Sequence, residues 1–582
     1  EYTINNQKDY ILEELYKRKP DVLCFSCYIW NIDYVTDIAR EYKKLCPSVP
    51  IWVGGPEVSY EVEAFLRENP YIDGVMIGEG EDTFRELCGY YAHKRKLSDI
   101  AGIAFRKHST GNSTSVNNIG GNKAGEIVFT SPRPIKNMSE IPFCYDTLDD
   151  FSNRIIYYES SRGCPFSCSY CLSSVDKTLR FRDTEIVKRE LKFFIDQKVP
   201  QIKFVDRTFN CNHAHAMELW RFIKANDNGV TNFHFEISAD LLNQEELELI
   251  SDMRPGLIQL EIGVQSTNEV TIKEIHRTMK LERLKEVVRL IQSGNNIHEH
   301  LDLIAGLPYE DYDSFGRSFD EIYELKPNQL QLGFLKVLKG SYMFEHAAEY
   351  GIVYHDKPPY EVMSTKWLSF DDVIKIKRVE EMLEVYYNSG QFEITMKLME
   401  CIFDSAFEFF QELGDFYEAN GYFGMSHSRI RRCEILLEFL ALYLHGCDND
   451  AMTSVVLSEN AGDRDNTDFD ENAIDRDNTD FDENAQIYSM IQESLIFDLY
   501  YRENCKSRPR WATDIGSFKH MTHAYCKNGK LSHVEPFHYI FPDKHTRKLD
   551  ELPKYHKEPV WALFHYDMRD PLDHQALVEY IE

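Results

Sequence analysis

Apolar positions along the first ninety or so residues switch between short continuous runs and helical spacing. Residues 8–18 have helical spacing, 21–25 form a short apolar run, and 32–45 are helical again. Ile51-Trp52-Val53 reads as a strand that runs into Gly54-Gly55-Pro56. Residues 60–68 predict a helix, 74–77 a strand, and another helix starts near Asp82 after Gly78-Glu79-Gly80-Glu81. Alternation of this period predicts a parallel sheet with helices on both faces.

Residues 101–106 and 126–130 then read as a hairpin around a polar, glycine-rich loop at 108–122, and 131–145, with Pro132, Pro134 and Pro142, as an extended linker. A more regular strand–helix series follows, with strands near 155–160, 201–205, 232–238, 257–264, 300–305 and 330–337. Six such units predict an open or partial (β/α) barrel, a geometry that puts chemistry at the C-terminal strand ends. From about residue 366 the pattern changes to long amphipathic helices at 370–388, 391–413, 427–445 and 486–500, and the tail after Pro559 reads as a strand. The expected fold class is therefore α/β with a mainly helical C-terminal domain. Its expected divisions are 1–130, a linker at 131–150, a barrel at 151–355 and a C-terminal domain at 356–582. An acidic segment at 463–473 recurs unchanged at 475–485. It lacks the glycine of a calcium loop, so 455–486 is expected to be a solvated, disordered insert.

Charge narrows the function classes. The 65 basic and 96 acidic residues give a net charge of −31, which disfavours nucleic acid without a local basic patch. No apolar run reaches the ~18 residues of a membrane span. The fourteen cysteines are sparse, and most stand singly in apolar runs, as expected of a reducing cytoplasm. The chain opens Glu-Tyr-Thr-Ile without an initiator methionine or signal peptide, so its natural start is expected to be missing.

Cys164, Cys168 and Cys171 are the exception to that scatter, a Cys-x3-Cys-x2-Cys loop directly after the first barrel strand. Thiolates gathered on one loop are metal ligands or a redox pair. Structural zinc wants four protein ligands, and Cys144, Cys211 and His213 are all distant in sequence. A cubane iron–sulfur cluster held by three cysteines keeps one iron open, which accounts for the missing fourth ligand. Zinc and buried structural thiols are the alternatives. Gly163 and Pro165 keep the loop from becoming helical.

This spacing in this barrel context, with Tyr170 before the last cysteine, resembles the radical S-adenosylmethionine (SAM) enzymes over roughly residues 150–345. The resemblance implies a [4Fe-4S] cluster on the three cysteines, with SAM chelated at its open iron and cleaved by one electron to a 5′-deoxyadenosyl radical. It further implies SAM contacts at the strand ends: Asp206 after the second strand, Glu236, Ser238 and Asp240 at the third, Glu261 and Gln265 at the fourth, and Gly306 at the fifth. The usual Gly-Gly-Glu is absent at the second. Arg182 has two readings, a SAM carboxylate ligand or a structural pair.

The first domain resembles the cobalamin-binding domain that precedes the barrel in cobalamin-dependent radical SAM enzymes, with its first strand and helix expected to be missing. Ser26, Cys27, Tyr28, Gly54, Gly55, Glu57, Gly78 and Gly80 lie at strand ends, where parallel sheets bind ligands. The resemblance implies cobalamin there. Asp-x-His-x-x-Gly, which supplies a lower cobalt ligand elsewhere, is absent, and a scaffold that has lost its ligand is the alternative. Cys24 reads as core rather than as half of a dithiol with Cys27. The C-terminal helices resemble a domain of unknown function.

The resemblance thus implies a cobalamin-dependent radical SAM enzyme that C-methylates an unactivated carbon. Its alternatives are a non-methylating rearrangement or cyclisation and a non-catalytic iron–sulfur protein. An external one-electron reductant of flavodoxin or ferredoxin type and an unidentified substrate are the expected partners. No catalytic residue is assigned.

Overall fold

The computed structural model describes the chain except residues 1, 108–125, 146, 152–153, 176, 446–478, 527–530, 543–545, 547–548, 550 and 582. The expected loop at 108–122 and the first acidic repeat lie outside the described residues. The end of the second repeat opens a helix, Thr479–Arg502.

The N-terminal sheet has the order β1 (Leu23–Ser26), β2 (Ile51–Gly54), β3 (Gly74–Met76), β4 (Ile103–Arg106) and β5 (Ile127–Phe129). The first three strands are parallel and the last two continue antiparallel, as the hairpin pattern implies. β2 is apolar throughout because both of its faces are covered. Ile51 and Val53 pack with Tyr42 of helix Ile32–Leu45, whereas Trp52 joins Leu87 on the other side and donates its indole N–H to Tyr91 Oη at 2.7 Å.

The second sheet contains β6 (Ile156–Tyr158), then, after a small ribbon of β7 (Ser161–Arg162) and β8 (Arg180–Phe181), β9 (Gln201–Phe204), β10 (Asn232–Ile237), β11 (Ile258–Gln265), β12 (His298–Ala305) and β13 (Gln329–Phe334). β6 and β9 to β13 are parallel neighbours in chain order, and among the described residues β6 and β13 do not pair, so the barrel is open. Alternation assigns the two faces. Phe204 and Phe235 pack outward, Phe235 with Trp220 of helix His213–Ala225. Lys203, His234, Glu236, Glu261, His300 and Asp302 occupy the opposite face, where a closed barrel would carry bulky apolar residues.

β14 (Val353–Tyr354) and β15 (Val362–Ser364) follow, then the C-terminal helices and an antiparallel sheet of β16 (Ser532–Tyr539), β17 (Tyr555–Arg569) and β18 (Ala576–Ile581). The domain expected to be mainly helical thus also holds a three-stranded sheet, of which the sequence pattern gave only the tail. The helix expected at 391–413 is two helices, Glu393–Ile402 and Ala406–Ala419, because Ser405 starts the second by accepting from Glu408 N at 3.0 Å. This region shares one core with the barrel. Phe407 lies so close to Gly316 that a Cβ there would stand 2.8 Å from its ring. Asn388 hydrogen-bonds both the N–H and the C=O of Leu330, covering part of the β13 edge.

Candidate functional site

Asp206, at the end of β9, fixes the start of the cysteine loop. Its carboxylate is fully buried and accepts from Ser160 N at 2.9 Å, Ser160 Oγ at 2.6 Å and Ser161 Oγ at 2.6 Å. Burial pushes its pKa up to about 6 against those hydrogen bonds. The loop leaves through the β7–β8 ribbon, and Gly163 turns it at φ +91°, where a Cβ would meet Thr178 O at 2.6 Å. Cys164 and Cys168 are buried and Cys171 half-buried, all as free thiols. Burial raises the Cys164 thiol, and the charges of Cys171 and Cys168 add to the effect. Ser169 anchors the loop from both sides, donating to Ile275 O and accepting from Met343 N, each at 2.9 Å.

Among the described residues no three His, Cys, Asp or Glu side chains converge as ligands of a single ion. Thiolates on a cubane sit on three separate irons and stand farther apart than the ligands of one ion, so three cysteines on one loop are compatible with a cluster. Arg277 supplies a second observation. Its Nη1 lies 3.9 Å from Cys168 Sγ and 3.3 Å from Tyr170 Oη, its Nε is buried without a partner, and the neighbouring Tyr170 and Cys168 favour its charge. Its Nη2 donates to Gly263 O at 2.5 Å, and a half-buried guanidinium without a carboxylate suits an anionic group beside the cysteines. The sequence reading missed it, since nothing near Arg277 in the chain marks it as half-buried.

The other strand-end residues divide into engaged and open groups. Ser238 Oγ donates to Asp240 Oδ1 at 2.7 Å, and Asp240 Oδ2 caps Lys280 N at 3.0 Å, so this pair is largely occupied by the fold. Glu261 lies 2.9 Å from Lys203 Nζ and 3.0 Å from His234 Nε2, which hold its pKa down at about 2 although burial opposes them. Glu236 has no such partner. Burial, with the charges of Glu261 and Asp302, pushes it up to about 7. Gln265 sits at φ +78° on a bulge of β11, an uncommon backbone for a non-glycine residue. Gly306 lies at φ +87°, and the space its side chain would fill is taken by Val362, 2.7 Å from an ideal Cβ. Arg182 is a structural pair, with Nη2 2.6 Å from Glu190 Oε1. The Lys203–Glu261–His234 group and the His300–Asp302 pair, 3.1 Å apart, make the barrel face polar. Alternating polar residues in strands three and five were the signal for this.

In the first domain, Ser26 and Tyr28 are exposed at the end of β1. The Cys27 thiol is fully buried and pushed to about 12, so what Cys27 offers a ligand is backbone. Gly54 lies against Met76, and Gly55, at φ +112°, would put a Cβ 2.5 Å from Cys27 O, so internal packing demands that glycine. Glu57 accepts from Tyr360 Oη, and burial raises its carboxyl. Among the described glycines of this domain, Gly78 and Gly80 alone present faces with no atom within 4 Å of an added Cβ. Beside them, Glu79 Oε1 and Glu81 Oε1 stand 3.2 Å and 2.9 Å from the guanidinium of Arg162. The strand-end edge of the first sheet therefore meets the neck of the cysteine loop.

Three family profiles match the chain: a B12 binding domain over residues 1–88, the radical SAM superfamily over 158–322, and a protein of unknown function, DUF4080, over 348–575. The cobalamin-dependent radical SAM methyltransferase TokK of Streptomyces tokunonensis is 27% identical over 329 residues, covering 53% of this chain and 45% of that protein. The anaerobic magnesium-protoporphyrin IX monomethyl ester cyclase of Rubrivivax gelatinosus is 22% identical over 337 residues, covering 55% and 57%. The chain thus spans about half the length of these curated relatives. The solved structure of the cobalamin-dependent S-adenosylmethionine radical enzyme OxsB, with aqua-cobalamin and S-adenosylmethionine bound, shares the fold. Its TM-score is 0.50 at 16% identity, covering 85% of this chain and 74% of that one. No helix among the described residues is long and apolar enough to cross a membrane.

Proposed function

We propose that this chain, a radical SAM protein carrying a B12-binding domain, is an enzyme that cleaves SAM reductively and methylates an unactivated carbon of its substrate. Its radical SAM domain implies a [4Fe-4S] cluster and SAM, and its B12-binding domain implies cobalamin. When bound, the cluster supplies the electron that breaks SAM into methionine and a 5′-deoxyadenosyl radical, and cobalamin supplies the methyl group.

One observation carries this reading: the open strand ends at Gly78 and Gly80 share a loop with Glu79, which contacts Arg162 two residues before Cys164. This contact supports a reading in which cofactor sites on the two domains face a common space. Cys164, Cys168 and Cys171 would hold the cluster. Arg277 would receive the SAM carboxylate, and Glu236 and Gln265 would line the methionine and ribose. Ser26, Tyr28, Gly78 and Gly80 would line the corrin. Asp206 acts one step back by setting where the cysteine loop begins. Below these groups, Lys203, His234, Glu261, His300 and Asp302 offer a polar, partly hydrated barrel wall to the substrate. An external one-electron reductant completes the reaction.

The likeness to the cyclase supports a second reading, cobalamin-dependent cyclisation or rearrangement without methyl transfer. Products separate the two. Protein reconstituted with iron, sulfide and hydroxocobalamin is given SAM, reductant and a candidate substrate. Methyl transfer yields S-adenosylhomocysteine as well as 5′-deoxyadenosine. Substrate conversion with 5′-deoxyadenosine alone would replace the first reading by the second.

A further inference from the structure

We propose that Glu79 is a positioning residue that clamps the corrin-side loop of the first domain to the neck of the cysteine loop, and so fixes the separation and orientation of the two cofactors. The inference rests on the reading above, and it concerns how two domains with separate cores are held in register.

The neck is the two-residue ribbon of β7 and β8, in which Arg162 and Arg180 are direct cross-strand partners. Like charges in that relation repel, and so short a ribbon has few backbone hydrogen bonds to oppose them. Glu79, from the other domain, lies between the two guanidinium groups. Its Oε1 is 2.6 Å from Arg180 Nη1 and 3.2 Å from Arg162 Nη1. Its Oε2 accepts from Lys136 N at 3.0 Å, in the segment that links the domains. Arg180 Nη1 donates to Lys136 O at 3.0 Å, so linker and ribbon meet at the same carboxylate.

Arg162 is held from three sides, by Glu79, by Glu81 Oε1 at 2.9 Å and by Glu159 Oε2 at 2.7 Å. These side chains are well shielded, with Arg180 13% and Glu79 21% exposed. Partial burial of this kind limits screening by salt and makes geometry matter more than for a surface pair. Position completes the case. Glu79 sits between Gly78 and Gly80, the two described glycines of the first domain whose bare faces are open, while Arg162 and Arg180 bracket all three cysteines. Glu81, which also reaches Arg162, directly follows Gly80 in the same stretch, whereas the contact of Tyr360 with Glu57 involves the chain after the barrel strands rather than the cysteine loop. A change in the lie of the Gly78–Gly80 loop is therefore passed directly to the neck.

The test measures geometry without the substrate. Full-length protein is reconstituted with iron and sulfide, loaded with hydroxocobalamin and reduced, and the magnetic coupling between cob(II)alamin and the reduced cluster is read by electron paramagnetic resonance. Dipolar coupling falls as the inverse cube of the separation, so it reports the clamp and not the mere presence of either group. Wild type is expected to give one resolved coupling. Glu79→Gln is expected to keep its iron, sulfide and corrin contents while that coupling is lost into a broad distribution. Glu79→Asp, which keeps the charge but shortens the reach, is expected to give a narrow, shifted coupling. A wild-type coupling in a fully loaded Glu79→Gln protein overturns the proposal. If Glu79→Gln fails to load the cluster, Glu79→Asp decides: a shifted coupling supports the clamp and an unchanged one overturns it. Wild type that takes up no corrin or no cluster defeats the underlying reading instead, and that result is visible before any variant is compared.

Discussion

Arg277 holds its Nη1 3.9 Å from Cys168 Sγ and meets no carboxylate among the described residues. A half-buried cation in that position is stabilised once an anion arrives. Arg277→Ala is therefore expected to leave iron and sulfide content unchanged and to weaken SAM binding about 10- to 100-fold, the loss of a charge-assisted hydrogen bond of ~1.5–3 kcal/mol. Arg277→Lys should recover only part, since lysine lacks the planar fork. A titration of SAM against the cluster's paramagnetic spectrum checks both.

Asp206 is expected to matter through the fold. Asp206→Ala strands Ser160 N and Ser161 Oγ, while Ser160 Oγ keeps His215 Nε2 at 3.0 Å; buried donors left unpaired cost about 1–3 kcal/mol. Asp206→Asn should lose less, because the hydroxyls can reorient toward the amide. Denaturant unfolding measures the loss, and iron content after reconstitution is expected to fall with it, as the loop start loosens.

Glu236 gives the barrel a pH signature. Its folded-state pKa of about 7 lies above the ordinary 4.5, so the native state holds the proton more tightly than the unfolded chain. Its stabilising contribution is full below about pH 4.5 and is lost as pH rises through about 7. The gap bounds the effect at about 3 kcal/mol. Glu236→Gln removes this dependence, so the wild-type-minus-variant stability difference should fall across pH 4.5–7. A flat difference would place Glu236 in water.

Glycines of the first domain separate into two kinds. Gly80→Leu enters open space and is expected to leave the melting temperature unchanged while weakening corrin binding at least about 10-fold, a few contacts' worth. Gly55→Ala meets Cys27 O and a backbone of φ +112°, so it is expected to lower stability with or without corrin. Calorimetry and corrin absorbance on the two variants distinguish a ligand-facing glycine from a packing one.

Local signals carried most of the fold. Strand–helix period located all six barrel strands to within a few residues, because each has one apolar face against helices and short polar turns at its ends. The three cysteines also stand out in the sequence, since their spacing lies in one loop. Groups that act through distant partners were not legible. Arg277 is marked only by what surrounds it in space, and Asp206 looks like any strand-end carboxylate until Ser160 and Ser161 are seen to consume it. Gly54 and Gly55 read as a ligand platform from their strand-end position, and their packing against Met76 and Cys27 became visible only in the structure. The C-terminal sheet escaped because β16, with Pro536 and alternating His and Glu, carries a weak apolar pattern whose other face is supplied by a helix far away in sequence.

Reductive cleavage of SAM at the three-cysteine loop is measured most directly by 5′-deoxyadenosine release from anaerobically reconstituted protein given SAM and a one-electron reductant. Wild type is expected to release it, and Cys168→Ala, stripped of one thiolate but otherwise folded, is expected to release none. Wild-type protein with its full complement of iron and sulfide that forms no 5′-deoxyadenosine, or a Cys168→Ala protein that forms as much, would contradict the account.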